Sequence, residues 1–422
     1  MENRSFDGLY GSFPNVDGFV NAGAAKTQVD KDGKPYETLP PVLDSNNLDG
    51  NKQPSIDSRF PSTLLNGPFN IDQRAPGCTR TGDMVHRFYQ EQQQIDGGKM
   101  DKFVAFTDSG ALPMGYYDTS KLRLYKLAQQ YTLADHFFHG AFGGSFLNHI
   151  ELISGTAPVW KNSPAKLVAQ LDAQNNLVKD GQVTPDGYAV NTTQPTYTPY
   201  KAGTAAENRL PPQTMPTIGD RLSDKGISWA WYAGGWNDAI AGKPDPLFQY
   251  HHQPFAYFQN YGDGTPGRAE HLKDEKDFLA AIANNTLPAV SFVKPIGQNN
   301  QHPGYADIIT GDNWAADIIE RIQYSPAWKE TAIIVTYDEN GGMWDHAAPP
   351  KVDRWGPGTR IPTLVISPYA KKRYIDHAVM YTDSIIRLIE KRFDLQPLGT
   401  RDQNAPDMLS SFNFNQTPSA TP

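Results

Sequence analysis

Two acidic residues stand together at the end of an apolar run, Thr331-Ala332-Ile333-Ile334-Val335-Thr336-Tyr337-Asp338-Glu339-Asn340-Gly341-Gly342. The pattern is that of a buried strand delivering adjacent carboxylates at its carboxyl end, with two glycines that let the backbone turn sharply beside them. Like charges side by side raise each other's pKa and are costly unless a cation sits between them, so Asp338 and Glu339 point to a metal. Asp-Glu-Asn-Gly is also ordinary turn composition, and an exposed turn is the plainer alternative. Asp345 and His346 are weaker candidates for the same rim.

A second concentration of chemistry runs from Asp135-His136-Phe137-Phe138-His139 through Gly143-Gly144-Ser145-Phe146-Leu147-Asn148-His149. The two glycines allow close backbone approach to a phosphate or oxyanion, and a helix beginning just after them would aim its amides at that anion. A carboxylesterase elbow needs G-x-S-x-G, and Leu147 occupies the place of the last glycine. A serine beside a metal is a different device, because the ion lowers the hydroxyl pKa without a His-Asp pair. Ser145 as a helix N-cap is the alternative of equal weight.

Of ten histidines, His136, His139 and His149 cluster around the serine, His251-His252 form a pair, and His86 and His302 stand alone. A phosphate ester needs cations for its equatorial oxygens and a proton for its departing alkoxide, and imidazole supplies both near neutral pH. No H-E-x-x-H helix is present, which disfavours a His-rich zinc cage.

These residues need a scaffold. Buried strands are expected at Ile227 to Tyr232, Ala289 to Val293, Ala332 to Tyr337, and Thr363 to Ile366 behind Pro362. Helical stripes alternate with them: Ser120 to Tyr131, then Trp314, Ile318 and Ile322, then Ile385 to Phe393 behind a Thr382-Asp383-Ser384 cap. Short continuous apolar strands alternating with helices predict an α/β fold, a doubly wound, mostly parallel sheet with helices on both faces and the site at the strand ends. Residues 1–413 read as a single domain with loop insertions near 12–80 and 174–212, followed by a poorly ordered tail over 414–422.

The 422 residues carry 38 Lys+Arg against 46 Asp+Glu, a formal charge of -8, so no sequence-independent grip on nucleic acid is expected. Cys78 is the one cysteine, which excludes an intrachain disulfide and a multi-Cys zinc site. No run of about 18 apolar residues occurs, so no transmembrane segment is expected.

Glu2-Asn3-Arg4-Ser5-Phe6-Asp7, Val85 to Gln90, Gly97 to Asp101, Met114 to Tyr117, Ala134 to Phe138, Ser145 to His149, Tyr250 to Phe255, Gln301-His302-Pro303-Gly304 and Tyr337 to His346 occur in that order. Together they resemble the bacterial phosphoesterase family of acid phosphatases and phospholipases C. Arg401-Asp402 with Asp407-Met408 looks like that family's closing motif. The resemblance implies an alkaline-phosphatase-like fold and a divalent metal held by Glu2, Asn3, Asp338 and Glu339. It implies that Ser145 is both ligand and nucleophile, with His86, His251, His252 and His302 around the transferred phosphoryl group.

The function expected is therefore metal-dependent hydrolysis of a phosphate ester through a phosphoserine, in the manner of an acid-phosphatase-like phosphomonoesterase. The alternatives are a phospholipase C cleaving phosphodiester head groups and a non-catalytic ligand-binding homologue with an incomplete metal site. A mixed carboxylate, amide and hydroxyl site suits Mg²⁺, Mn²⁺ or Ca²⁺ and, less readily, Zn²⁺. A sulfatase-like reading would need a C/S-x-P-x-R setting, which neither Cys78 nor Ser145 has. In the family the Glu-Asn pair follows an apolar strand, and here Met1 alone precedes it. The expectation is a chain shortened at its start, with an export signal upstream and a secreted or periplasmic location.

Overall fold

The computed structural model describes residues 1–418. The elements that matter for the site are, in chain order, β1 (Thr132–Ala134), α1 (Ser145–Ser154), β2 (Trp229–Ala233), β3 (Leu272–Asp274), β4 (Val290–Lys294), α2 (Ile308–Gln323), β5 (Ile333–Thr336), β6 (Thr363–Ile366), β7 (Tyr374–Asp376) and α3 (Asp383–Phe393). The fold is α/β, as expected, and the expected strands fall on β2, β4, β5 and β6.

Backbone contacts group the chain into two compact units. The first comprises Met1–Phe142, Gln298–Met380 and the described residues from Leu409. The second comprises Gly143–Gly297 and Tyr381–Met408.

In the first unit the sheet order is β5-β6-β1-β7. β6 runs antiparallel to both β5 and β1, with Thr363 opposite Thr336 and Ala134, and β7 runs parallel to β1. The expected parallel direction fails at β6 for a simple reason. A parallel neighbour needs a crossover, usually a helix, and residues 337–362 contain none, so the chain turns back directly. All four residues of β6 are buried.

α2 packs its Ile308, Ala315, Ile318, Ile319 and Ile322 inward. Its Asp312 carboxylate also sets where the neighbouring helix begins, accepting from the Arg123 and Leu124 amides at 2.8 and 2.9 Å. That is why the stripe expected from Ser120 to Tyr131 is helical only over Arg123–Ala128.

The long irregular stretch near 12–80 is ordered from within the first unit. Gln28, fully buried, accepts from the Phe103 amide at 2.8 Å and donates to the Met100 oxygen at 3.1 Å. At the other end, Phe414 stacks on Phe412 at 5.5 Å and Gln416 Nε2 donates to the Ala370 oxygen at 2.7 Å. The last four residues of the expected tail, 419–422, lie outside the described residues.

In the second unit β3-β2-β4 form a wholly parallel sheet. β2, Trp-Ala-Trp-Tyr-Ala, is buried throughout, the pattern of a central strand covered on both faces. The expected Thr382 cap of α3 is not used; the Ser384 hydroxyl instead accepts from the Tyr381 amide at 3.1 Å. Residues 174–212 are held by contacts such as Tyr257 Oη donating to the Thr193 oxygen at 2.8 Å. Among the described residues no helix is long and apolar enough to cross a membrane.

Candidate active site

In the first unit the acidic end of β5 is built against the start of the chain. The Met1 amino group donates to the Thr336 oxygen at 2.8 Å, and the Asp338 amide donates to the Met1 oxygen at 3.1 Å. Glu2 and Asn3 then run beside Asp338 and Glu339: the Asn3 amide donates to Asp338 Oδ1 at 3.3 Å and the Arg4 amide to the Glu339 oxygen at 3.1 Å. Asn3 sits at φ +62°, a left-handed conformation that asparagine tolerates better than most residues. The turn that follows the acidic pair requires glycine. Gly341 has φ +66°, and a Cβ there would lie 2.7 Å from Asn3 Cβ.

The two glutamates are buried, Asp338 is half-buried, and all three carboxylates are oriented. Glu2 is 1% exposed and Glu339 0%. Glu2 Oε2 accepts from Asn300 Nδ2 at 2.6 Å and from Tyr305 Oη at 2.9 Å. Glu339 Oε2 accepts from the Gly341 amide, and Asp338 Oδ1 from the Glu339 amide at 2.9 Å.

Imidazoles border this cluster. His86 Nε2 lies 3.7 Å from Glu339 Oε1 and 3.3 Å from Asn3 Nδ2. His302 meets His86 edge to face at 5.5 Å and stacks on Tyr305 at 4.3 Å. Asp83 approaches both rings, at 3.7 and 4.0 Å. Burial alone would lower the His86 pKa, but Glu339 and then Asp83 outweigh it and raise it to about 9. Burial drives the Glu339 carboxyl up, and Asp338 adds to the effect while His86 opposes it.

Glu2 and Glu339 are buried and Asp338 is half-buried, and with Asn3 they offer three carboxylates and an amide. That set fits a hard divalent ion such as Mg²⁺, Mn²⁺ or Ca²⁺.

In the second unit α1 opens on Ser145. Gly144, not Ser145, is the N-cap, so the serine occupies the first helical position, 6% exposed. Gly143 at φ +89° makes the turn, and Asn148 Nδ2 clamps it by donating to the Gly143 and Gly144 oxygens at 3.2 and 3.1 Å. The amides of the first helical turn point out of this end and favour an anion. One turn on, His149 Nδ1 lies 2.7 Å from the Ser145 oxygen. Its ring stacks on His252 at 5.3 Å and meets His251 edge to face at 5.7 Å. Trp231 Nε1 donates to the His252 oxygen at 2.6 Å, fixing the His251-His252 turn to β2.

The first unit therefore brings together Glu2, Asn3, His86, His302, Asp338 and Glu339, and the second brings together Ser145, His251 and His252. Three features had no role at the sequence level: Asn300 and Tyr305 on Glu2, Asp83 beside two imidazoles, and His149 under Ser145. Asn300 and Tyr305 flank His302 within five residues, a signal present but indistinct in a loop of Asn, Gln and Gly. Asp345 and His346 are not on this rim. Asp345 Oδ1 accepts from Arg360 Nε at 3.0 Å, and His346 Nδ1 lies 2.6 Å from Asp7 Oδ2. His139 is bonded to Glu91 at 2.8 Å, both fully buried, as a structural pair.

The model of the Phosphoesterase family matches residues 1–396. This chain belongs to the Phosphoesterase family. Among members it is similar to the non-hemolytic phospholipase C of Pseudomonas aeruginosa, 24% identical over 98% of this chain and 56% of that protein. It is also similar to phospholipase C A of Mycobacterium tuberculosis, 26% identical over 100% of this chain and 77% of that protein. The chain thus spans little more than half the length of the P. aeruginosa protein. Among solved structures, a Vibrio parahaemolyticus protein of the alkaline phosphatase superfamily aligns over 76% of this chain and 70% of its own, at 10% identity and a TM-score of 0.37.

Proposed function

We propose that this phosphoesterase hydrolyses phosphoric esters with a divalent cation held by Glu2, Asn3, Asp338 and Glu339, forming a phosphoserine on Ser145. The observation that carries the proposal is the acidic cluster at the end of β5, with Glu2 and Glu339 buried, bordered by His86 and His302. Membership of the family supports ester hydrolysis. When bound, the cation supplies positive charge for phosphoryl oxygens and lowers the pKa of a nearby hydroxyl.

The chain's own residues do the rest. Ser145 Oγ attacks phosphorus, at a helix start whose amides favour negative charge. His86, with Nε2 3.7 Å from Glu339 Oε1, stands where an imidazole N–H can donate to a phosphoryl oxygen. His302 has Nδ1 against the Pro303 oxygen, so Nε2 is its atom for passing a proton to the leaving oxygen. His251 and His252 supply further donors to the phosphoryl group. Water then releases phosphate from the serine.

The preferred substrate class is a phosphomonoester, whose second negative charge suits a site that combines a divalent cation with several imidazole donors. A second reading, phosphodiester cleavage by a phospholipase C, is favoured by the names of the relatives from P. aeruginosa and M. tuberculosis. Nitrophenyl phosphate and nitrophenyl phosphorylcholine, compared across pH with added Mg²⁺, Mn²⁺ and Ca²⁺, separate the two. The monoester should be turned over faster; the reverse ranking selects the lipase. Ser145→Ala should lower kcat at least about 10³-fold with an unchanged circular dichroism spectrum. Substantial residual turnover would remove Ser145 as nucleophile.

A further inference from the structure

Asp135-His136, singled out in the sequence, is not used by the proposed reaction. In the first unit it leaves the carboxyl end of β1, where the parallel partner β7 ends in register, Ala134 opposite Asp376. The Asp135 amide continues that pairing by donating to the Asp376 oxygen at 3.1 Å. The residue that follows β7 is His377. Two parallel strands therefore deliver Asp135, His136 and His377 to one point, and the carboxyl ends of parallel strands are where α/β sheets place ligands.

The side chains converge there. Asp135 is 0% exposed, and its carboxylate faces His136 Nδ1 at 2.8 Å and His377 Nδ1 at 2.9 Å. Ligand atoms of all three residues lie within 4.8 Å of one another. Asp17 ties in through its amide, which donates to Asp135 Oδ2 at 2.7 Å; its own carboxylate lies 3.3 Å from His136 Nε2 and is engaged by Asn21, His346 and Arg360. Burial pushes the Asp135 carboxyl up, yet its bonds to His136 and the Asp17 amide hold it below its usual value.

The nearest guanidinium does not neutralise this carboxylate. Arg360 Nη1 donates to the main-chain oxygens of Asp135 and Asp17, at 2.7 and 2.8 Å, while its Nε and Nη2 bond the carboxylates of Asp345 and Asp7. The neighbouring Asp7-Asp345-His346 group is thus already filled by an arginine, whereas among the described residues the charge of Asp135 is met by imidazoles and an amide. A buried carboxylate between two imidazoles is a nitrogen-oxygen donor set of the kind zinc takes.

We propose that Asp135, His136 and His377 form a second divalent-cation site of Zn²⁺ type. The site is structural: it ties the ends of β1 and β7 to the irregular segment around Asp17. It differs in chemistry from the cluster at Glu339, which offers carboxylates and an amide.

His377 is 59% exposed, so His377→Ala removes a ligand without opening the core. Zinc titration of the full chain, followed by metal content after gel filtration and by thermal unfolding, tests the site in wild type, His377→Ala and Glu339→Gln. The expected result is that His377→Ala loses one zinc equivalent, or binds it at least about tenfold more weakly, and loses the corresponding thermal stabilisation. Glu339→Gln should retain that equivalent. His377→Ala should retain hydrolysis of nitrophenyl phosphate. Equal zinc content and affinity in wild type and His377→Ala would overturn the proposal, as would a wild-type protein whose every bound zinc is lost in Glu339→Gln.

Discussion

Asn300 and Tyr305 donate to the same oxygen of Glu2, at 2.6 and 2.9 Å. A carboxylate so held presents its other oxygen in one direction, and pre-orientation of this kind usually contributes about 10- to 100-fold in metal affinity. Tyr305→Phe keeps the ring that stacks on His302 and removes only the hydroxyl. It should weaken activation by added metal by about that factor while leaving kcat at saturating metal near that of wild type. A kcat loss that excess metal does not restore would mean that the hydroxyl acts on substrate instead. Residue chemistry was legible in the sequence where it was concentrated: Asp338-Glu339 and Ser145 needed no structure to be noticed. Partners such as Tyr305 and Asp83 were not, because a tyrosine or aspartate in a loop is unremarkable until a fold places it on a carboxylate or an imidazole.

At the scale of elements, the geometry of the acidic cluster depends on a tight turn. Gly341 combines φ +66° with a prospective Cβ contact of 2.7 Å to Asn3. Gly97 has a similar φ of +68° but nothing within 4 Å of a prospective Cβ. Gly97→Ala should therefore lose only the left-handed penalty, about 1–2 kcal/mol, with metal content unchanged. Gly341→Ala should lose more than this in thermal unfolding and also bind less metal, because Asn3 must move. Equal behaviour of the two variants would show that the turn does not position Asn3. The strands themselves were readable from apolar runs, and β6 was found residue for residue. Their directions were not. Periodicity reports burial but not orientation, and the antiparallel setting of β6 follows from a helix-free connection whose length alone allowed a crossover. Likewise a carboxylate within α2, Asp312, shortened a helix that local propensity drew longer.

At the scale of the whole molecule, buried ionisable groups set how stability depends on pH. His346 is raised to about 9: burial would lower it, and the bond to Asp7 with the charge of Asp345 outweighs that. A group whose folded pKa exceeds its unfolded value stabilises fully below the unfolded value and loses this as pH rises through the folded one. For His346 that window runs from about 6.5 to about 9. Asp345, raised to about 6 chiefly by burial, and Glu390 in the second unit, raised to about 8 by burial and Asp402, favour the folded state in their protonated forms. Their contributions also decline as pH rises. In the opposite direction, Asp17 and Asp135 are lowered despite burial, so their stabilisation is lost as pH falls below the usual aspartate range. Metal-free protein should therefore be most stable on the acid side of neutrality, with Tm falling from about pH 6.5 to 9. His346→Gln keeps a hydrogen-bonding side chain but cannot gain a proton. It should have a lower Tm than wild type at pH 6, by on the order of a few degrees, and the two curves should converge near pH 9.5. Parallel curves would mean that Asp7 and Arg360 hold this cluster without a charged imidazole. The alkaline decline would then belong to groups such as Glu390, and Glu390→Gln should flatten it.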